Sequence, residues 1–264
     1  MRSLASLLAA LALVLTAGCG LLPEDIDETA GWSAEKLYAE ARDAMDDRLY
    51  DKAIKMFEKL ESRYPYGRYA RQAQLETAFA HYKQDEREQA VAACDRFIRL
   101  HPNQPGVDYA WYLKGLVHFN EDLGLLARVS NQDQTERDPR SAIEAFEAFK
   151  ALINGFPDSK YVEDASLRMA YLVNALAAHE VHVAEFYLRR GAWLAAVNRV
   201  QEALTNYPRA PANEKGLFIM IKAYDALGMD DLRDGAERVM RRNFPDSEYF
   251  KRGLSSGEPW WRLW

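Results

Sequence analysis

The stretch LYAEARDAMDDRLYDKAIKMFEKLESRYP, Leu37–Pro65, decides the fold. Within it Ala41, Ala53 and Pro65 stand twelve residues apart, and the interval returns in Ala78, Ala90 and Pro102 and again in Ala184, Ala196 and Pro208. Twelve residues is slightly more than three helical turns at about 3.6 residues each. The pattern reads as a helix, a tight turn and a second helix ended by proline. Small side chains mark where the two helices cross closely, because bulk there would push the axes apart. Proline stops the second helix because it lacks the N–H that a continuing helix needs. Such a pair cannot bury its apolar face alone, so it must stack on copies of itself.

The terminators extend the reading along the chain. Tyr64-Pro65, His101-Pro102, Phe156-Pro157, Tyr207-Pro208 and Phe244-Pro245 are separated by 37, 55, 51 and 37 residues. Two intervals lie near the roughly 34-residue period of tetratricopeptide repeats and two are expanded. Leu37, Ala41, Tyr50, Ala53 and Phe57 take the large and small positions of that repeat in unit one. In unit three Trp111 and Gly115 fit the first helix, and Ala142 and Phe146 the second. The surplus between Gly115 and Ala142 predicts an inserted loop near Leu125–Pro139. Lys160 to Arg190 holds neither proline nor glycine and predicts one long helix. In unit five Ile221 and Arg233 replace the alanines, as expected of an end cap whose outer face meets water. The fold class is therefore all-α: a tetratricopeptide-like solenoid of about five helix-turn-helix units, with an insertion in the third. Residues 33–249 form the array, entered through Ser33 as an N-cap, and 250–264 form a tail rich in tryptophan.

The amino terminus reads as an address. Arg2 precedes an apolar run from Leu4 to Leu15, too short for the roughly 20 residues of a membrane span, followed by small residues and Cys19. Ala17-Gly18-Cys19 looks like a bacterial lipobox, although Thr16 stands where leucine is usual. Residues 1–18 are then a signal peptide, and 19–32 a tether lipidated on Cys19. Several acyl chains on one residue give stable attachment. Gly20 is not the aspartate that retains many such lipoproteins at the inner membrane, so the expected site is the outer membrane, facing the periplasm. A net charge of −6 argues against nucleic acid, which requires a basic footprint.

Catalytic chemistry finds little support. His179, His182 and Glu185 are spaced by three, not by the four of a metalloprotease helix, and read as structural or surface residues. Cys94 falls on a large-residue position and reads as packing. There is no nucleophile elbow and no phosphate-cradling glycine loop. No catalytic residue, metal or cofactor is assigned beyond the covalent lipid, and the chain reads as non-enzymatic. Tyr64, Tyr66 and Tyr69, interleaved with Arg63, Arg68 and Arg71, are aromatic and arginine residues of the kind interfaces favour, although Tyr64 fits an inter-unit packing role equally well. Trp193 fits a core position of the repeat. Arg190 and Arg199 have no packing reason and are interface candidates. The Trp-rich tail suits a partner, a membrane surface or the array itself.

Several segments carry a specific resemblance: Asp95-Arg96-Phe97-Ile98-Arg99-Leu100, Pro105 with Asp108-Tyr109, Gly115-Leu116, Arg137-Asp138-Pro139, Val183-Ala184-Glu185, Arg190-Gly191-Ala192-Trp193 and Val197-Asn198-Arg199-Val200. Together they resemble the BamD family, lipoprotein subunits of the outer-membrane β-barrel assembly (BAM) machinery, over the signal, the cysteine and the five units. The Trp-ended tail departs from the family pattern. The resemblance implies a periplasmic scaffold without a catalytic step. It implies that the amino-terminal units, with Tyr64 and Tyr66, bind the often aromatic-ended carboxy-terminal signal of unfolded outer-membrane β-barrel proteins. It implies that the carboxy-terminal units dock the POTRA domain of the barrel subunit BamA, with Arg199 at a family contact and Arg190 close by in sequence, and that BamC lies along the molecule where present. Two other readings are a different periplasmic repeat lipoprotein, acting as adaptor in cell division or peptidoglycan synthesis, and a cell-wall enzyme with helical accessory units. The Arg-Gly-Ala-Trp and Arg-Asp-Pro segments weigh against the first, and the lack of a catalytic constellation against the second.

Overall fold

A computed structural model describes residues 27–122 and 139–254. Cys19, the centre of the inserted loop and the three tail tryptophans lie outside the described residues. The helices are α1 (Ala34–Asp46), α2 (Tyr50–Arg63), α3 (Arg68–Lys83), α4 (Arg87–Leu100), α5 (Val107–Asp122), α6 (Arg140–Gly155), α7 (Val162–Arg189), α8 (Trp193–Asn206), α9 (Asn213–Ala226), α10 (Asp230–Asn243) and α11 (Tyr249–Arg252). The first ten form five antiparallel pairs, and the described residues contain no strand.

Each pair is built from an apolar stripe at helical spacing. In unit one Leu37, Ala41, Ala44 and Met45 of α1 meet Ala53, Ile54, Phe57 and Leu60 of α2. Ser33 caps α1, its hydroxyl accepting from the Lys36 N–H at 3.2 Å. The crossing alanines 41, 53, 78, 90, 184 and 196 are all fully buried.

The repeat is visible in backbone angles as well as in burial. Arg48, Asp85, Gly191 and Gly228 follow the first helices of units one, two, four and five with φ of 62°, 62°, 74° and 68°. The next N–H, from Leu49, Glu86, Ala192 or Met229, reaches five residues back at 2.8–3.0 Å, the Schellman closure of a helix end. Second helices end alike. Tyr64, His101, Phe156, Tyr207 and Phe244 leave the helix with φ between −138° and −129° and ψ between 46° and 66°, outside the helical region that a following proline disfavours in its predecessor. At Gly228 nothing lies within 4 Å of where a Cβ would sit, so Gly228→Ala costs only backbone strain. We expect a loss of about 1 kcal/mol, read from urea unfolding followed by circular dichroism.

Stacking gives the array its curvature. α1 touches α3, α3 touches α5, α5 touches α7 and α7 touches α9, whereas the second helices form no comparable layer. Units approach more closely along the first helices, so that layer is the concave face. In unit three Gly115 lets α5 approach α6. A Cβ there would stand 2.4–2.8 Å from three ring atoms of Phe149. Phe149 is fully buried in this unit beside Phe119, whereas Phe146, which fits the large position of the repeat, is half-buried and turned edge-on to Tyr207 in unit four at 6.3 Å. α7 is the predicted long helix, 28 residues, and it contacts both α5 and α9.

Both ends depart from expectation. Residues 250–254, assigned to the tail by sequence, join the cap: Phe250 and Leu254 pack on the last core, and Tyr249 stacks on Phe218 of α9 at 5.7 Å. α9 is buried on almost every side, and α10 presents only Ala236 and Met240 inward. Arg233, in place of an alanine, bridges Asp225, Asp230 and Asp234. At the other end residues 27–32, expected in the tether, are seated on the first unit, and Thr29 is buried.

Candidate binding groove

The concave layer encloses a groove of about 500 Å³ built from four successive units. Its floor is α3, where Gln72, Leu75, Glu76 and Phe79 share one face at helical spacing. Arg42 enters from α1, Asp108 and Tyr109 from the start of α5, and Lys160 and Tyr161 from the turn before α7. Gly106, at φ 98°, lets the α4–α5 turn press on the floor, since a Cβ there would stand 2.6 Å from Leu75 Cδ1.

The polar groups are ordered by one another. Arg42 Nη1 pairs with Glu76 Oε2 at 2.9 Å, and Gln72 donates to Glu76 Oε1 at 3.1 Å. Ser159 donates to Asp108 at 2.7 Å. Tyr161 stands 5.5 Å from Tyr109 and stacks at 4.7 Å on Tyr112. Tyr112 donates at 2.7 Å to Asp164, which Arg168 also holds at 2.6 Å. Burial, with the Glu76 charge second, pushes the Tyr109 phenol well above its ordinary range. Burial and the bond to Asp164 push Tyr112 up to about 12. The phenols are thus neutral near pH 7. The lining offers no serine, cysteine or histidine. Its chemistry suits recognition: aromatic surface for apolar side chains, with fixed charges for backbone and polar groups.

The sequence profile of the outer membrane lipoprotein family YfiO matches residues 31–239. The chain belongs to this family. Relatives within it carry the name outer membrane protein assembly factor BamD. One from Neisseria meningitidis serogroup B is 46% identical over 96% of both chains. One from Vibrio cholerae is 39% identical over 88% of this chain and 95% of its own. One from Haemophilus influenzae is 32% identical over 92% of both. The solved TPR2AB domain of yeast Sti1 superposes at a TM-score of 0.40 and 14% identity, covering 81% of this chain and 78% of that one.

In this member of the BamD family the residues singled out by sequence are scattered relative to the groove. Tyr64 caps α2 and donates to the Trp32 carbonyl at 2.8 Å, and Tyr66 is 92% exposed on the following turn. Neither lines the groove. Tyr69 packs on Tyr38 at 5.3 Å. Arg190 ends α7 with its guanidinium 4.4 Å over the Phe186 ring, and Trp193 packs half-buried on the last core. Arg199, an interface candidate without a packing reason in the sequence, pairs with Glu180 of α7 at 3.2 Å and keeps its side chain 46% exposed. Glu185 is held by Lys215 at 2.7 Å. Cys94 is fully buried, and burial pushes its thiol up to about 12. No described helix is long and apolar enough to cross a membrane.

Proposed function

We propose that the chain is a non-catalytic scaffold in outer-membrane protein assembly, anchored through lipid on Cys19 to the periplasmic face of the outer membrane. The family supports this role, since its relatives are named as assembly factors. The observation that carries the reading is the groove, whose rings Phe79, Tyr109 and Tyr161 and whose charged groups are drawn together from four units. An extended segment of an unfolded barrel protein finds there ring surface for its aromatic side chains and ordered partners for its backbone. Preorganisation keeps the ordering cost on the ligand side only. The carboxy-terminal units, with Arg190 and Arg199 on their surface, are the docking side for the BamA POTRA domain, and BamC is a further partner where it exists.

A photo-crosslinking residue at Lys160 tests the substrate half of this reading. It should capture an unfolded outer-membrane barrel protein, and the same probe at Tyr66 should capture much less. Equal capture at both positions, or none at Lys160, would place substrate elsewhere.

A further inference from the structure

The terminal unit of a solenoid exposes a face that inner units bury. On α2, Glu61 points to unit two, accepting from Gln74 at 3.2 Å and from Arg96 at 3.1 Å. Lys52, Lys55, Lys59 and Arg63 share the opposite flank by helical spacing. Among the described residues no helix precedes that flank, and Lys52 and Lys55 are exposed on it. α1 and its C-cap are mostly acidic on the outer surface, with Glu35, Asp43, Asp46 and Asp47 exposed beside Lys36, and on α2 the exposed Asp51 and Glu58 border the lysines on one side. The end of the array therefore carries a narrow basic strip on α2, in which Lys52 and Lys55 are exposed and Lys59 and Arg63 face Asp27.

The segment arriving from the amino terminus is fastened to this strip. Lys59 donates to Asp27 Oδ1 at 2.9 Å. Arg63 binds the other oxygen of Asp27, the Thr29 carbonyl and, at 3.1 Å, the Thr29 hydroxyl. Asp27 accepts the N–H and hydroxyl of Thr29 at 3.1 and 2.6 Å, a turn closed by its own side chain. The Thr29 hydroxyl, and after it Lys59, hold the Asp27 carboxyl far below the usual range. Trp32 packs on the first core with Lys36 4.1 Å over its ring. A plain tether needs none of this.

We propose that residues 27–32 are a strap seating the lipid-bearing segment on α2, and that the basic flank of α2 lies against an anionic phospholipid surface. The proposal rests on the lipid-anchor reading of Cys19. Seven residues, 20–26, separate that cysteine from Asp27, and at about 3.4 Å per residue they reach less than roughly 30 Å. Lysines within a Debye length of anionic headgroups are attracted by them. The strap and the basic flank thus give the array one orientation, with the groove layer and the carboxy-terminal units turned toward the periplasm.

The test uses the lipidated full chain in phosphatidylethanolamine–phosphatidylglycerol vesicles that carry an acceptor lipid. A donor is placed at Glu58→Cys beside the flank or at Arg242→Cys on α10; buried Cys94 stays unlabelled. Energy transfer should be several-fold stronger from position 58. The contrast should fall away in Asp27→Ala, in Lys52→Glu with Lys55→Glu, and in vesicles of phosphatidylcholine alone, with thermal melts confirming a folded array. Equal transfer from both ends, or a contrast that survives all three changes, overturns the proposal. Vesicle flotation separates the two readings. A chain that floats no better than Cys19→Ser overturns both the anchor and the strap; a chain that floats without the contrast overturns the strap alone.

Discussion

Gly115→Leu is expected to break the middle of the array. A Cβ at this position already stands 2.4–2.8 Å from three atoms of the Phe149 ring, and that ring is fully buried. A leucine adds three further carbons to a site with no room for the first. Exchanging glycine for a better helix former gains about 1 kcal/mol, while overpacking of this severity costs about 3 kcal/mol or more. Overpacking wins, so the net loss should be at least about 2 kcal/mol in urea unfolding. A second phase in the transition is expected as well, because a solenoid cut at its centre need not unfold as one unit. Phe149→Ala alone should cost about 3–5 kcal/mol by leaving a cavity. Combined with Gly115→Leu the new side chain fills that cavity, and the double variant should be far more stable than the sum of the singles. Additive losses would mean that the two residues do not share the contact.

The interdependence of Gly115 and Phe149 shows what the sequence makes legible. Pairing of helices could be read because its cause is local: a small residue every twelve positions and a proline at each exit. Even so, the repeat pattern marks Phe146 as the large residue of α6, whereas the depth of the α5–α6 crossing buries Phe149. The turns hid their geometry in two units, where Arg48 and Asp85 adopt the left-handed conformation that Gly191 and Gly228 announce elsewhere. The groove was not legible at all. Arg42, Glu76, Tyr109 and Tyr161 come from four units, and only stacking makes them neighbours. Conversely, the dense Tyr-Arg run around residue 64 reads in sequence as an interface or, for Tyr64, as inter-unit packing, and the structure divides it among several roles. Arg63 holds the strap, Tyr69 packs on Tyr38, and Tyr66 alone is almost fully exposed. The Arg199–Glu180 pair lay 19 residues apart in sequence. The antiparallel register of α7 on α8 is the signal that brings the two together.

On the proposed docking of the BamA subunit at the carboxy-terminal units, Arg199→Glu should release that subunit while leaving the array folded. Two effects compete in this substitution. Within the chain it loses the pair with Glu180 and sets two carboxylates opposite each other. Arg199 is 46% exposed, so the local loss should be about 1 kcal/mol or less. The α7–α8 contact is held independently by Val181, Ala184, Leu188, Val197 and Val200 in one buried cluster. At a docked interface the same reversal leaves a partner group unpaired or repelled, which costs about 2–5 kcal/mol, or about 30-fold and upward in affinity. Co-purification of the BamA subunit from detergent-solubilised envelopes should therefore collapse, with the melting temperature of the isolated chain nearly unchanged. The paired exchange Glu180→Arg with Arg199→Glu tells the two effects apart. It restores attraction inside the chain and keeps the wrong charge facing the partner, so binding should stay lost. Recovery of binding in the exchange variant would assign Arg199 to holding α7 against α8, and the partner contact would have to be sought elsewhere, with Arg190 over Phe186 the next position to reverse.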